Sequence, residues 1–157
     1  MREVVITKDG SHTIAIPEKG VTYHSVHGAV QESMHVFIEA GLGAVLTSAN
    51  RQDLNVFEMG FGTGLNAFLT ALVAQEQQLH ITYTAVEAFP LSVEEALTLN
   101  YADTLGSAGL FEQLHLSSWN EDVAIHEHFT LRKVQSDLAD FLPSRQFDLV
   151  YYDAFAP

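Results

Sequence analysis

Two apolar runs near the amino terminus alternate in a way that is typical of β-strands. Residues 4–7 and 12–16 are rich in β-branched and apolar side chains, and Asp9-Gly10 lies between them. Asp-Gly between two such runs favours a tight turn, so the pattern predicts a β-hairpin. Pro17 and Gly20 end this pattern. We therefore expect residues 1–20 to form an amino-terminal hairpin.

The next segment changes to helical spacing. Apolar side chains recur between residues 30 and 38 at intervals of three and four, which predicts an amphipathic helix. Gly41 and Gly43 follow, and glycine commonly ends a helix. Residues 21–50 are thus expected to form a lead-in helical segment.

Beyond residue 51 the pattern alternates between strands and helices. Such alternation predicts an α/β fold, a doubly wound and mainly parallel sheet with right-handed crossovers. Residues 51–157 would form this core. The expected strands are 56–59, 80–87, 129–135 and 147–152; the expected helices are 65–74, one from the Ser92 and Glu95 capping box to about Asn100, and a short helix or turn at 137–142.

The last predicted strand, 147–152, is apolar and lies near the end of the given sequence. A long apolar edge strand favours aggregation unless something covers it. We therefore expect the core to be incomplete at its carboxyl end. Either a further segment of a longer protein or self-association would cover this edge.

Composition narrows the class of protein. The longest apolar runs are far shorter than the roughly 20 residues that a membrane span needs, so no membrane partner is expected. Cysteine is absent, which excludes disulfides and thiolate metal sites and makes the cytoplasm the default location. Twenty acidic and 7 basic residues give a net charge of −13. Such a charge opposes nucleic-acid binding unless the cations are clustered.

The segment 56–66 carries the strongest functional pattern. An apolar run ends in Glu58, and Gly60, Gly62 and Gly64 follow at alternate positions. Glycines permit a tight turn and close approach of the backbone to a ligand, although a strand-to-helix turn without a ligand would also tolerate them. A dinucleotide site would place a glycine at position 65, which is leucine. The spacing therefore favours S-adenosylmethionine over a nicotinamide cofactor.

Three further carboxylates end the later strands. Glu87 is placed to accept hydrogen bonds from ribose hydroxyls, unless it is simply a solvated acid. Asp137 could contact an adenine or cap a helix. Asp153 could orient an acceptor amine or take its proton, or cap the turn before Pro157. His126 and His128 would share one face of a strand, but no third ligand accompanies them, so no metal site is expected.

These motifs resemble one family. The stretches Glu58-Met59-Gly60-Phe61-Gly62-Thr63-Gly64-Leu65-Asn66, Val86-Glu87-Ala88-Phe89-Pro90-Leu91 and Asp153-Ala154-Phe155-Ala156-Pro157 are similar to the methyltransferase domain of the MnmC-like family. The upstream segment from Tyr23-His24-Ser25 to Ile38 is similar too.

The resemblance implies a Rossmann-like methyltransferase fold and a specific reaction. It implies methylation of the 5-aminomethyl group of a wobble 2-thiouridine in tRNA, with S-adenosylmethionine as donor. It also implies roles for individual residues. Glu58, Gly60, Gly62 and Gly64 would surround the methionine part, Glu87 the ribose and Asp137 the adenine; Asp153 would be catalytic, and Tyr23, His24 and Phe155 would contact the substrate.

Two other functions remain open at this point. A methyltransferase of the same fold could act on a small molecule or a protein amine, which the acidic composition favours. A non-catalytic, truncated binding fragment is the other possibility. The apolar edge strand suggests it, because such an edge can contact a partner.

Overall fold

The computed structural model describes residues 1–24, 28–49 and 52–152. The strands are β1 (Glu3–Ile6), β2 (His12–Ile16), β3 (Val21–Thr22), β4 (Asp53–Met59), β5 (His80–Glu87), β6 (Asp122–His126), β7 (Phe129–Gln135) and β8 (Leu149–Tyr152). The α-helices are α1 (Ala29–Ser33), α2 (Gly43–Ala49), α3 (Leu65–Glu76), α4 (Val93–Leu97), α5 (Tyr101–Leu105) and α6 (Ala108–Leu116). A π-helical stretch, Met34–Leu42, joins α1 to α2, and 3₁₀ turns occupy Pro17–Lys19 and Leu138–Asp140.

The larger sheet has five strands in the order β6-β7-β5-β4-β8. Four of them, β7, β5, β4 and β8, run parallel. The α/β fold with a mainly parallel sheet, predicted from the alternation of strands and helices, is confirmed. The sequence did not predict β6, which pairs with β7 antiparallel and shifts its register between Ala124 and His126.

Alternation along the central strands explains where the core lies. In β5, Ile81, Tyr83 and Ala85 are completely buried and belong to one hydrophobic cluster with Phe68 of α3. Neighbouring side chains in a strand point to opposite faces of the sheet. Phe57 of β4 lies on the other face, where its ring stacks on Phe141 at 5.3 Å.

The amino-terminal residues form a separate antiparallel sheet of three strands, β1-β2-β3. The predicted hairpin is confirmed: β1 pairs with β2, and the Asp9 carboxylate accepts a hydrogen bond from the Ser11 amide at 3.0 Å inside the turn. The third strand, Val21–Thr22, lies beyond residue 20, where we expected the hairpin to end. This strand leads directly to Tyr23 and His24.

The predicted helix stop at Gly41 and Gly43 is wrong. The helix passes through both glycines and continues as α2 to Ala49. A Cβ atom at Gly41 would lie 3.7 Å from Cε1 of Tyr151, an ordinary contact distance, so the helix packs against β8 at this point. Gly41 therefore lies where the helix meets the sheet and does not end the helix.

Other details also differ from those predicted; for example, β4 begins at Asp53 and α3 ends at Glu76. Helix α4 has the predicted capping box but ends at Leu97, short of Asn100. Strand β8 begins at Leu149, two residues later than predicted. His126 ends β6 whereas His128 lies in the turn before β7, so the prediction that they share one face of a strand is wrong. Instead, the His128 amide donates to His126 Nδ1 at 3.0 Å.

Strand β8 is the outer strand of the sheet within the described residues. Its Val150 and Tyr152 side chains are 52% and 64% exposed, in agreement with the apolar edge expected there. Among the residues that the structure describes, no helix has both the length and the apolar composition that crossing a membrane requires.

Candidate functional site

A cavity of about 330 Å³ opens at the carboxyl ends of β4 and β5. Its volume lies in the range of small-molecule sites, and this end of a parallel sheet is where such folds bind ligands. The lining combines the glycine turn, the ends of three strands and the start of the lead-in segment. It consists of Tyr23, His24, Glu58, Met59, Gly60, Phe61, Gly62, Val86, Glu87, Ala88, Ser136, Leu138 and Tyr152.

The glycine turn has the backbone conformation for which glycine is suited. Gly62 has a φ of +55°, and a Cβ atom there would lie only 3.2 Å from Cδ2 of Tyr23. Gly64 has a φ of +77°, and a Cβ atom there would lie 2.8 Å from Nε2 of His115. Gly60 and Gly62 line the cavity, whereas Gly64 is absent from the lining and precedes α3 as its N-cap residue.

Glu87 connects the end of β5 to this turn. Its Oε1 atom accepts a hydrogen bond from the Gly62 amide at 2.8 Å, and its Oε2 atom accepts one from the Phe89 amide at 3.2 Å. A carboxylate has about four acceptor positions, so each oxygen keeps capacity for a ligand hydroxyl. Glu87 is therefore fixed in place at the cavity and retains the capacity expected of a ribose contact.

Glu58 lies at the cavity in a different environment. Its side chain is 2% exposed. It accepts hydrogen bonds from the Tyr83 hydroxyl at 2.8 Å and from Asn66 Nδ2 at 2.9 Å. Burial and the nearby Glu58 carboxylate raise the pKa of Tyr83 well above its usual value. Since both Glu58 oxygens have protein donors, the geometry points to a residue that joins β4, β5 and α3; contact with the methionine part remains a prediction.

Tyr23 and His24 enter the cavity from the end of the amino-terminal sheet. The Tyr23 amide donates to the carbonyl of Ile14 at 2.8 Å, and the His24 amide donates to Thr13 Oγ1 at 2.9 Å. His24 Nε2 lies 2.8 Å from Thr63 Oγ1 in the glycine turn. The amino-terminal sheet thus forms one wall of the cavity and is bonded to the turn.

The structure brings fewer of the predicted carboxylates into the cavity than expected. Asp137 is exposed and is not part of the lining, although its neighbours Ser136 and Leu138 are. Its role as an adenine contact remains a prediction. The catalytic candidate Asp153 and the substrate candidate Phe155 lie outside the described residues.

Sequence reasoning missed a cluster at the glycine turn, in which Phe61 of the turn packs with buried His115 and Lys133 and with half-buried Trp119. Lys133 is 1% exposed; its Nζ atom donates to the His115 carbonyl at 3.0 Å and lies 4.8 Å from the centre of the Trp119 ring. Burial lowers the pKa of Lys133 to about 8. Strand alternation places Lys133 on the buried face with Leu131, which was the available signal.

His115 links this cluster to the turn. Its Nε2 atom lies 2.9 Å from the carbonyl oxygen of Thr63. Burial and the charge of Lys133 lower the pKa of His115 to about 4, so the ring is neutral at pH 7 and Nε2–H donates this bond. Nothing in the local sequence around His115 indicates this contact.

Within the described ranges, no three histidine or acidic side chains are close enough together to hold a metal ion. The described lining of the cavity offers hydrogen-bond acceptors, backbone amides and aromatic surface.

Comparisons with known proteins agree with the fold and the motifs. No family model matches the chain. It is 31% identical over 162 residues to the tRNA 5-methylaminomethyl-2-thiouridine biosynthesis bifunctional protein MnmC of Burkholderia multivorans, covering 92% of this chain and 24% of that protein. It is 32% identical over 149 residues to the protein of the same name from Acidovorax sp. strain JS42, covering 86% of this chain and 22% of that protein.

A solved structure extends the match to the whole chain. The crystal structure of MNMC2 from Aquifex aeolicus superposes with a TM-score of 0.74 at 23% identity, covering 100% of this chain and 50% of that one. The chain spans about a quarter of the length of the curated relatives it matches. Sequence similarity along most of the chain and this shared fold lead to one conclusion: the chain belongs to the MnmC-like methyltransferase domain family.

Proposed function

We propose that this chain is an S-adenosylmethionine-dependent N-methyltransferase that acts on the 5-aminomethyl group of the wobble 2-thiouridine in tRNA. The observation that carries the proposal is the cavity at the carboxyl ends of β4 and β5, where Glu87 faces the glycine turn. The names of the relatives support the substrate class, since they refer to the biosynthesis of this tRNA nucleoside. A tRNA acceptor agrees with the cytoplasmic location expected from the absence of cysteine.

The residues of the chain have separate tasks in this proposal. Gly60 and Gly62 let the backbone approach the cofactor, because neither residue has a side chain of its own. Glu87 accepts hydrogen bonds from the ribose hydroxyls. When bound, S-adenosylmethionine supplies an electrophilic methyl group on a sulfonium.

The acceptor amine must be neutral and aligned with that methyl group, since a protonated amine has no free electron pair. Tyr23 and His24 form the wall that would hold the acceptor. Asp153 is proposed to orient the amine or to take its proton. Phe155 is proposed to contact the base.

The test separates cofactor binding from methyl transfer. Calorimetric titration with S-adenosylhomocysteine should show binding to the wild type, and Glu87→Ala should abolish it. Glu112→Ala, which removes the same charge from an exposed position in α6, should bind like the wild type. Absence of binding to the wild type would support the non-catalytic fragment instead.

Methyl transfer is tested with labelled S-adenosylmethionine and tRNA from a strain that lacks this methylation. Label in the wobble nucleoside is expected. The net charge of −13 favours a second candidate, an amine methyltransferase acting on a small molecule or protein. Cofactor binding without label in tRNA would favour that candidate.

A further inference from the structure

A second cavity, of about 590 Å³, adjoins the first. Tyr23, Glu87 and Ala88 line both cavities, so a molecule in one would lie next to a molecule in the other. The remaining wall of the second cavity comes from the amino-terminal sheet and from the loop after β5. Its charged side chains are Arg2, Lys19, Glu18 and Glu87, and Phe89 adds an exposed aromatic ring.

Phe89 is held by its backbone while its ring stays in solvent. Its amide donates to Glu87 Oε2 at 3.2 Å, and its carbonyl accepts from Arg2 Nη2 at 3.0 Å. The side chain is nevertheless 71% exposed. An exposed aromatic ring on a backbone that is held in place offers a surface on which a nucleic-acid base can stack.

Lys19 supplies a positive charge at the same cavity. It ends the 3₁₀ turn Pro17–Lys19, which Pro17 and the bond from the Gly20 amide to the Pro17 carbonyl (3.1 Å) keep rigid. In the part of the chain that the structure describes, Lys19 forms no ion pair. The neighbouring Glu18 is contacted by the Met1 amine.

The other described cations are placed differently. Arg2 also lines this cavity, but its guanidinium pairs with Glu95 at 3.3 Å and donates to the Phe89 carbonyl at 3.0 Å. Arg132 and Arg145 both bind Asp122, Lys133 is buried, and Lys8 lies in the hairpin turn and does not line this cavity. A chain with a net charge of −13 therefore presents an exposed ring and a lysine without an ion-pair partner among the described residues directly beside the cofactor cavity. This arrangement offers an anionic, aromatic ligand a local site on a surface that would otherwise repel it.

We infer that the second cavity binds a nucleotide of the RNA acceptor that neighbours the modified nucleotide, with its base stacked on Phe89 and its phosphate directed to Lys19. This inference rests on the proposed function, because it assigns the adjoining cavity to the acceptor RNA. It also specifies the part of the protein that would distinguish an RNA acceptor from a small-molecule amine.

The test measures binding of a fluorescent RNA hairpin with a seven-nucleotide loop to the full chain, alongside calorimetry with S-adenosylhomocysteine. Phe89→Ala should raise the Kd for the RNA about fivefold or more, since stacking on one aromatic ring makes a contribution of that size. Phe89→Trp should retain the wild-type Kd. Lys19→Gln should lower the slope of log Kd against log salt by about 0.7, the value for one phosphate of a single strand.

The matched controls remove similar groups elsewhere. Leu142→Ala deletes an apolar side chain that is 87% exposed, and Lys8→Gln deletes another exposed lysine. Both should bind RNA like the wild type. The affinity for S-adenosylhomocysteine should be the same in all five variants.

Three results would overturn the inference. The first is equal RNA binding by Phe89→Ala and the wild type, and the second is that the control variants weaken RNA binding as much as Phe89→Ala and Lys19→Gln do. The third is a loss of S-adenosylhomocysteine affinity in Phe89→Ala, which would assign the cavity to the cofactor. Failure of the proposed function looks different. If the wild type binds RNA through Phe89 and Lys19 but transfers no methyl group to tRNA, the inferred nucleotide site is supported and the proposed methylation is rejected.

Discussion

His115 Nε2 lies 2.9 Å from the carbonyl oxygen of Thr63, so a side chain of α6 donates a hydrogen bond to the backbone of the glycine turn. The same nitrogen occupies the space that a side chain at Gly64 would need. The turn is therefore shaped from outside the cavity as well as by its own glycines. Changes at His115 should affect both stability and cofactor binding.

Gly64→Ala should destabilise the protein by about 1–2 kcal/mol from the positive φ alone, and by more from the contact with His115. Urea denaturation measures this change, and the Kd for S-adenosylhomocysteine should rise with it. Gly109→Ala is the control, because Gly109 lies in α6 and a Cβ atom added there would meet no neighbouring atom within 4 Å. That variant should be as stable as the wild type or up to about 1 kcal/mol more stable.

The neutral state of His115 should make the protein sensitive to acid. Its pKa is about 4 in the folded chain and about 6.5 when unfolded, so the unfolded state binds the extra proton first. The stability from this group is complete above pH 6.5 and is lost as the pH falls toward 4. In His115→Gln, denaturation curves at several pH values should show a smaller loss over this window. An identical pH dependence in both proteins would contradict the assignment.

Lys133 should produce a similar effect on the alkaline side. Its folded pKa is about 8, below the usual value of about 10.5, so folding disfavours its protonated form. The wild type should therefore gain stability relative to Lys133→Met as the pH rises from 8 to 10.5. The exposed Lys8→Met is the control for the removal of a lysine from the surface. If the difference between the wild type and Lys133→Met stays constant over this range, burial does not lower the pKa of Lys133.

Tyr83→Phe should cost about 1–3 kcal/mol of unfolding free energy, because it removes a hydrogen bond that the Tyr83 hydroxyl donates to the buried Glu58 carboxylate. Thermal or urea denaturation provides the measurement. Tyr152→Phe removes a hydroxyl from a side chain that is 64% exposed and should change stability by less than about 0.5 kcal/mol. Equal effects of the two substitutions would show that Glu58 does not depend on Tyr83.

Local patterns were enough to predict the elements whose signals lie within a few residues. Asp9-Gly10 predicted the hairpin, the capping box at Ser92 predicted the start of α4, and the β-rich run 80–87 predicted β5 with the bounds that the structure shows. In each case the determining interactions join neighbours in sequence. The position of Glu87 at the cavity also follows, since a residue that ends a central parallel strand must lie at that edge.

What the sequence could not predict depends on contacts between distant residues. The helix continues through Gly41, where it packs against Tyr151 from far along the chain, and this tertiary contact has no signal in the local sequence. Strand β6 is short and is defined by its pairing with β7. His115 and Thr63 are 52 residues apart, so no spacing rule connects them. Strand β7 ends at Gln135, two residues before Asp137, and the turn that follows brings Ser136 and Leu138 to the cavity instead.

The position of Tyr23 between the amino-terminal sheet and the cavity has a thermodynamic consequence. Its backbone belongs to the sheet through Ile14, while its side chain touches the space over Gly62. A ligand that binds in the cavity should therefore also stabilise the folded state of the first 24 residues. Amide protons in β1 and β2 should exchange more slowly when S-adenosylhomocysteine is bound, although neither strand contributes a residue to the described lining of the cavity. The hairpin would then serve as a remote reporter of cofactor occupancy.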